Sequence, residues 1–187
     1  MDGTLLNSDK TLSEENLNAI LKLREAGGKF VVSTGRVMQA TRHYFEPVGV
    51  DFPVILSNGG MIYDCHENKV MWSEYLPEGS SRKMVSELLE KFPDACAEIC
   101  TPEHIYDVQI NEQERIHWKK GGFTAEIMES LDDVPDGNWC KVLFAMPEEL
   151  IEPFAAFAQS DHSAHRFYLI DRIYMLRLPA PPMRSMR

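Results

Sequence analysis

Two rhythms of apolar residues alternate along the first half of the chain. Ser13 is placed to cap a helix, with Glu14 and Glu15 in the first turn, where the helix dipole favours negative charge. Leu17, Ile20, Leu21 and Ala26 then fall on one helical face, which Gly27-Gly28 closes. Lys29 to Ser33 (KFVVS) is a short β-branched run of the kind that lies inside a parallel sheet, and Pro53 to Ser57 (PVILS) is a second. Between them Val37, Ala40, His43 and Tyr44 keep helical spacing. Each strand-like run empties into a polar loop, Thr34-Gly35-Arg36 after the first and Asn58-Gly59-Gly60 after the second. Ligands of doubly wound sheets gather at such carboxyl ends.

The second half changes pattern. Met61 to Asp64 and Val70 to Tyr75 predict a hairpin turning at His66–Lys69, and Pro77-Glu78-Gly79 suits a hinge. From Ser80 a helix places Met84, Val85, Leu88, Leu89 and Phe92 on its apolar side and stops at Pro93. Alternation predicts strands at Ala97–Cys100 and Ile105–Ile110, a helix spans Phe123 to Leu131, and CKVLFA from Cys140 to Ala145 is a strand. Glu148 to Phe157 is helical, and Arg166 to Leu178 holds two strands about a turn at Asp171-Arg172. Helices set against an antiparallel sheet make an α+β module. Trp72, Trp118 and Trp139 are expected in or beside the core. Beyond Leu178, Pro179, Pro181 and Pro182 suit neither strand nor helix, so residues 179–187 are expected to form an irregular tail.

Composition narrows the partners. The 187 residues are 44% hydrophobic and 26% charged, ordinary for a globular protein, and suffice for one domain or two small ones. A formal net charge of -10 argues against nucleic acid or an anionic membrane as the main partner, and obliges any phosphate site to rely on local donors. No stretch has the length and apolar continuity of a membrane span, and no signal-peptide pattern opens the chain; a cytoplasmic location is expected. Cys65, Cys96, Cys100 and Cys140 lack the density of a disulfide framework, which favours reduced thiols. Cys96, Cys100 and His104 form a weak candidate metal cluster whose spacing matches no common zinc pattern.

The opening stretch, Met1 to Asp9 (MDGTLLNSD), gives these loops a context. Asp2-Gly3-Thr4 favours a tight turn with exposed backbone N–H groups, able to cradle an anion or to be a plain turn. In order, DGTLL, VVSTGR and SNGGMIYD closely resemble the Cof-type branch of the haloacid dehalogenase-like (HAD) phosphohydrolases, over the first part of the chain more than the rest. The resemblance implies that Asp2 is the general acid/base of motif I, and that Gly3, Thr4, Thr34, Gly35 and Arg36 bind the phosphoryl group. It also implies that Asn58 and Gly59 close the substrate side, and that the backbone carbonyl of Asp2 is a Mg²⁺ ligand. It further implies an α/β fold: a partial Rossmannoid parallel sheet over 1–78, lacking its first and late core strands, and a subclass IIB cap over 79–178.

Attack by a carboxylate on a phosphate monoester needs Mg²⁺ and hydrogen-bond donors to offset repulsion, and proceeds through an aspartyl-phosphate. A second carboxylic acid protonates the leaving oxygen and then activates water. In the family the nucleophile lies two residues before the acid/base, a place that falls ahead of Met1 here. The lysine and the Gly-Asp-x-x-Asn-Asp metal motif expected after the last cap strand are likewise not found among these residues; no lysine follows Lys141. The expectation is therefore a phosphatase of small phosphorylated metabolites (sugar or cofactor phosphates) by ancestry, in a truncated chain with weak or absent Mg²⁺ binding and no turnover. The alternatives are a non-catalytic binding or regulatory remnant, and a non-functional gene fragment.

Overall fold

A computed structural model describes residues 1–161, 166–170 and 173–177. The expected turn at 171–172 and the tail over 179–187 lie outside the described residues. Helix α1 (Glu14–Glu25) begins as the sequence predicts, with the Ser13 hydroxyl accepting from the Asn16 N–H. Its buried stripe is narrower than expected: Ile20 is buried, while Leu21 and Leu23 are exposed. The run 29–33 is not a strand. Ile55 donates to Val32 and Thr34 donates to Ile55, each at 2.9 Å, leaving a single parallel bridge between Ser33 and Ile55. Val31 is 50% exposed, so one of the residues expected inside a sheet faces solvent.

The helix expected after that loop is split into a 3-10 turn at Met38–Ala40 and α2 (Arg42–Val48). Thr41 lies at the break, its hydroxyl donating back to the carbonyls of Val37 and Met38, a bond that competes with the helical ladder. Strand β1 (Val54–Leu56) pairs antiparallel with β2 (Met61–Asp64), which pairs with β3 (Lys69–Ser73). Val54, Leu56 and Met61 are fully buried with Leu6, Val32 and Phe45 in one cluster. Trp72, expected in or beside the core, is 45% exposed on β3.

The second sheet has the order β6-β5-β4-β7-β9-β8. Helix α3 (Glu78–Lys91) buries Met84, Val85, Leu88 and Leu89 as the spacing requires. It also absorbs Glu78 and Gly79 into its first turn, so the expected hinge is helix. Strands β4 (Cys96–Cys100) and β5 (Ile105–Val108) form a hairpin. The helix expected at 123–131 is absent. Instead α4 (Glu112–Gly121) lies upstream, capped by the Asn111 side chain and closed by Gly122, and β6 (Glu126–Met128) follows, parallel to β5. Then come β7 (Lys141–Ala145), α5 (Ile151–Asp161), β8 (Arg166–Ile170) and β9 (Ile173–Arg177).

The period-two alternation of strands gives this sheet two unlike faces. Ala97, Ile99, Tyr106, Val108, Val142 and Phe144 join the apolar sides of α3 and α5 in the larger core, where Phe154 lies 5.0 Å from Phe144 and 5.1 Å from Phe92. Trp139 is buried there, under the Arg82 guanidinium. The other face carries Cys96, Glu98, Cys100, Asp107 and Lys141 under α4. Burial, then the charge of Glu98, pushes the Asp107 carboxyl up to about 8, and the same causes raise Glu114. A third cluster of Val37, Ala40, Cys100, Ile105 and Leu143 joins the two sheets' surroundings.

Candidate functional site

Three loops meet beside β1. The Thr34 N–H is fixed by Ile55, and the Thr34 hydroxyl accepts from the Arg36 N–H at 3.2 Å, which leaves its own proton free to donate. The loop after β1 folds onto this one: the Asn58 N–H donates to the Thr34 carbonyl at 3.2 Å and the Ser57 N–H to the Arg36 carbonyl at 3.0 Å. Asn58 and Gly59 take positive φ of 58° and 92° to make that approach. Gly35 lets the Asn58 side chain lie close, because a Cβ there would stand 2.5 Å from its amide nitrogen and oblige that side chain to turn.

The opening turn is less open than its composition suggests. Gly3 turns the chain at φ 66°, and the N–H groups of Thr4, Leu5 and Leu6 all point at the Met1 carbonyl. Those donors are therefore spent within the turn rather than offered to an anion. The Thr4 hydroxyl lies 3.5 Å from the Asp2 carbonyl. What projects toward the other loops is the Asp2 carboxylate, gripped by the Arg36 fork at 3.1 Å and 2.8 Å and by Lys10 at 2.9 Å. Partial burial pushes the Asp2 carboxyl up, but hydrogen bonds and charge from Arg36 and Lys10 outweigh it and hold the group well below its ordinary range.

Arg36 is itself well seated, donating to the carbonyls of Ala40 and Gly121 and lying 5.4 Å from the Tyr44 ring centre. Gly121 ends α4, so one arginine ties the loop to the second sheet's layer. Lys141, buried on β7, does the same by donating to the Gly35 carbonyl at 3.1 Å. All the sequence-predicted loops thus converge, with Asp2 on Arg36 and Thr34, Gly35 and Asn58 mutually packed. Sequence reasoning missed Lys10 and Lys141; a lysine inside a strand carries no local sign that it will meet a loop 106 residues away.

The Asp2 carboxylate is already engaged, since both its oxygens take cationic donors, and it belongs to neither of the three-residue donor groups found among the described residues. The expected Mg²⁺ ligand is instead the Asp2 backbone carbonyl, which the Thr4 hydroxyl approaches to 3.5 Å. Cys96, Cys100 and His104 form no such group either, and the His104 ring pairs with Glu126 at 2.6 Å. A cavity of about 550 Å³ lies nearby between Arg42, Tyr63, Asn68 and Pro102, apart from Asp2.

The sequence profile of the haloacid dehalogenase-like hydrolases matches residues 1–172. The pyridoxal phosphate phosphatase YbhA of Escherichia coli is 32% identical over 90 residues, 48% of this chain and 33% of the relative. The 5-amino-6-(5-phospho-D-ribitylamino)uracil phosphatase YitU of Bacillus subtilis is 33% identical over 75 residues, 40% of this chain and 27% of the relative. These matches therefore span about a third or less of each relative. A haloacid dehalogenase-like hydrolase from Bacteroides thetaiotaomicron superposes with a TM-score of 0.79 at 16% identity, over 96% of this chain and 68% of that one. A HAD subclass IIB sugar phosphatase gives 0.74 at 15%, with the same coverage. That likeness establishes the fold.

Proposed function

The chain belongs to the haloacid dehalogenase-like hydrolases, and on that premise we propose that its three loops are the phosphoryl-binding part of a phosphatase for small phosphorylated metabolites. The observation that carries this reading is the Arg36 grip on Asp2. A guanidinium fork suits carboxylate and phosphate alike, so Asp2 sits in the seat a phosphoryl oxygen would take. Arg36 and Lys10 would bind the incoming dianion, the Thr34 hydroxyl would donate to it, and Asn58 and Gly59 would border the leaving group. Lys141 adds a third cation against Gly35, from the subclass IIB cap, residues 79–178, on a partial core over 1–78. Asp2, released from its cations, would serve as the acid/base. Mg²⁺ dependence and a cytoplasmic setting belong to the whole protein in this reading, and sugar or cofactor phosphates are the substrate class; the named phosphatases among the relatives support that breadth.

One observation favours binding without turnover by the 187 residues themselves. The carboxylate they bring to the loops is ion-paired, and among the described residues no cluster of side-chain metal donors includes it. Inorganic phosphate and pyridoxal 5′-phosphate should therefore bind the 187-residue chain in calorimetry, and Arg36→Ala should weaken both by about tenfold or more, the 1.4 kcal/mol or more of a charge-assisted bond. The same preparation should release no phosphate with added Mg²⁺. Equal affinity in the Arg36 variant refutes the binding site, and Mg²⁺-dependent turnover abolished by Asp2→Asn refutes the binding-only reading.

A further inference from the structure

The face of the second sheet under α4 holds a set of groups that the phosphatase reading does not use. Glu98 and Asp107 are register partners on β4 and β5, and Glu114 and His117 stand three residues apart on α4. That spacing puts both α4 side chains on one helix face, the i, i+3 Glu-x-x-His arrangement that helical metal sites employ. Glu98 is 2% exposed, and Asp107 and Glu114 are 0% exposed. Some of their oxygens are satisfied: Glu98 Oε1 accepts the Cys100 thiol at 3.2 Å, and Asp107 Oδ2 accepts the Trp118 indole at 3.0 Å. Glu98 Oε2, Asp107 Oδ1 and both oxygens of Glu114 meet no N–H or hydroxyl donor at good geometry, although Glu114 lies within reach of Glu98 and Trp118.

A buried polar atom without a partner is costly, and several carboxylate oxygens turned into one place call for a common cause. The donor atoms of Glu98, Glu114 and His117 lie within 4.8 Å of one another, as do those of Cys96, Asp107 and Glu114. Glu114 belongs to both sets. His117 Nε2 stands 3.6 Å from Glu98 Oε2, too far for a good hydrogen bond. Two atoms that each ligate one tetrahedral ion at about 2.0–2.2 Å stand roughly 3.4 Å apart. The pair is thus spaced as ligands rather than as donor and acceptor.

We propose that Glu98, Glu114 and His117 hold a divalent transition-metal ion, with Asp107, oriented by Trp118, beside it. An imidazole among the donors selects a zinc-like ion over Mg²⁺ or Ca²⁺, which take oxygen. The ion would bind α4 to the sheet, a structural role independent of any chemistry at Asp2.

The test uses the full chain, stripped with a chelator, dialysed, and titrated with ZnCl₂ or MgCl₂ in a calorimeter, with bound metal counted by mass spectrometry. One Zn²⁺ per chain and a raised thermal midpoint are expected, with no response to Mg²⁺. Glu114→Gln and His117→Ala should each weaken Zn²⁺ by at least about 10–100-fold, the loss typical even of outer-shell partners. No stoichiometric Zn²⁺ overturns the proposal. So does Zn²⁺ that both variants bind undiminished, which would place it on another group such as Cys65. Should the variants not fold, Co²⁺ added to the Cys65→Ser chain decides: visible bands from a bound ion at one equivalent support the site, and their absence overturns it.

Discussion

Replacing Phe154 by alanine tests how the two sheets share stability. Phe154 is fully buried, 5.0 Å from the Phe144 ring and 5.1 Å from that of Phe92. Removing a buried phenylalanine costs about 3–5 kcal/mol, and losing two ring pairs places this site toward the upper end. Against a total of about 5–15 kcal/mol the loss is severe. At 1.4 kcal/mol per tenfold it should speed hydrogen exchange about 10²–10³·⁵-fold at amides that open only globally. Those amides lie in α3 and β7, whose Met84, Leu88, Val142 and Phe144 share the Phe154 cluster. Amides of β1 and β2 belong to the Leu6–Val54–Met61 cluster, which shares no residue with it. They should exchange faster in the parent chain and change less than about tenfold in the variant. The single Ser33–Ile55 bridge and the half-exposed Val31 are why the first sheet is expected to be the weaker unit. Equal protection in the parent, falling together in the variant, would refute this and make the chain one cooperative unit through the cluster of Val37, Ala40 and Leu143.

Gly35→Ala should cost about 0.5–1.5 kcal/mol in urea unfolding, the cost of turning a side chain off its rotamer, because its Cβ meets the Asn58 amide at 2.5 Å. Asn58→Gly keeps the left-handed backbone and frees that space, so the double variant should recover most of the loss; additive losses would show the contact is not the cause. Lys141→Met keeps the stem and removes the ammonium, and phosphate affinity should fall about tenfold; unchanged affinity would put the lysine outside the site. The Asp2 carboxyl should titrate below its ordinary 3.8, so its pairing contributes stability above that pH and loses it as pH falls through the lower folded value. Arg36→Ala should bring the Asp2 midpoint, read by carbon-13 NMR, back toward 3.8, and saturating phosphate should raise it in the parent chain; a midpoint that neither moves would mean Arg36 does not hold the carboxylate in solution.

Where apolar spacing and burial coincide, the fold is legible. The stripe on α3 and the run in β7 needed no tertiary knowledge, because their apolar residues are the ones that pack. Helix α4 was hidden for the opposite reason. Its buried positions are Glu114 and Gly121, with Ile116 exposed, so a search for apolar periodicity finds nothing there. The signals that could have found it were the caps, Asn111 at one end and Gly122 at the other. The run KFVVS failed differently: its residues favour a strand, but strand propensity is a preference for a pleated surface with partners. Among the described residues Ile55 alone bridges it, and a run with one neighbour at one residue forms a bridge, not a ladder.

The site divides along the same line. The family resemblance carried by the order of the loops brought Asp2, Thr34, Arg36 and Asn58 into one reading, and they do converge. Composition left the opening turn as either an anion cradle or a plain turn; its N–H groups fold back on Met1 and leave a carboxylate facing Arg36, which is the plain turn. The lysines come from places without local signature: Lys10, which answers that carboxylate, from a left-handed turn residue, and Lys141, which holds the Gly35 carbonyl, from a strand. A net charge of -10 makes this arrangement intelligible. An acidic protein that binds an anion must concentrate positive groups locally, and buried or paired cations keep that field from being screened. On the proposed reading Asp2 would neutralise the cluster until another anion arrives, so the same contact that steadies the loops would set the threshold a phosphoryl group must exceed to enter.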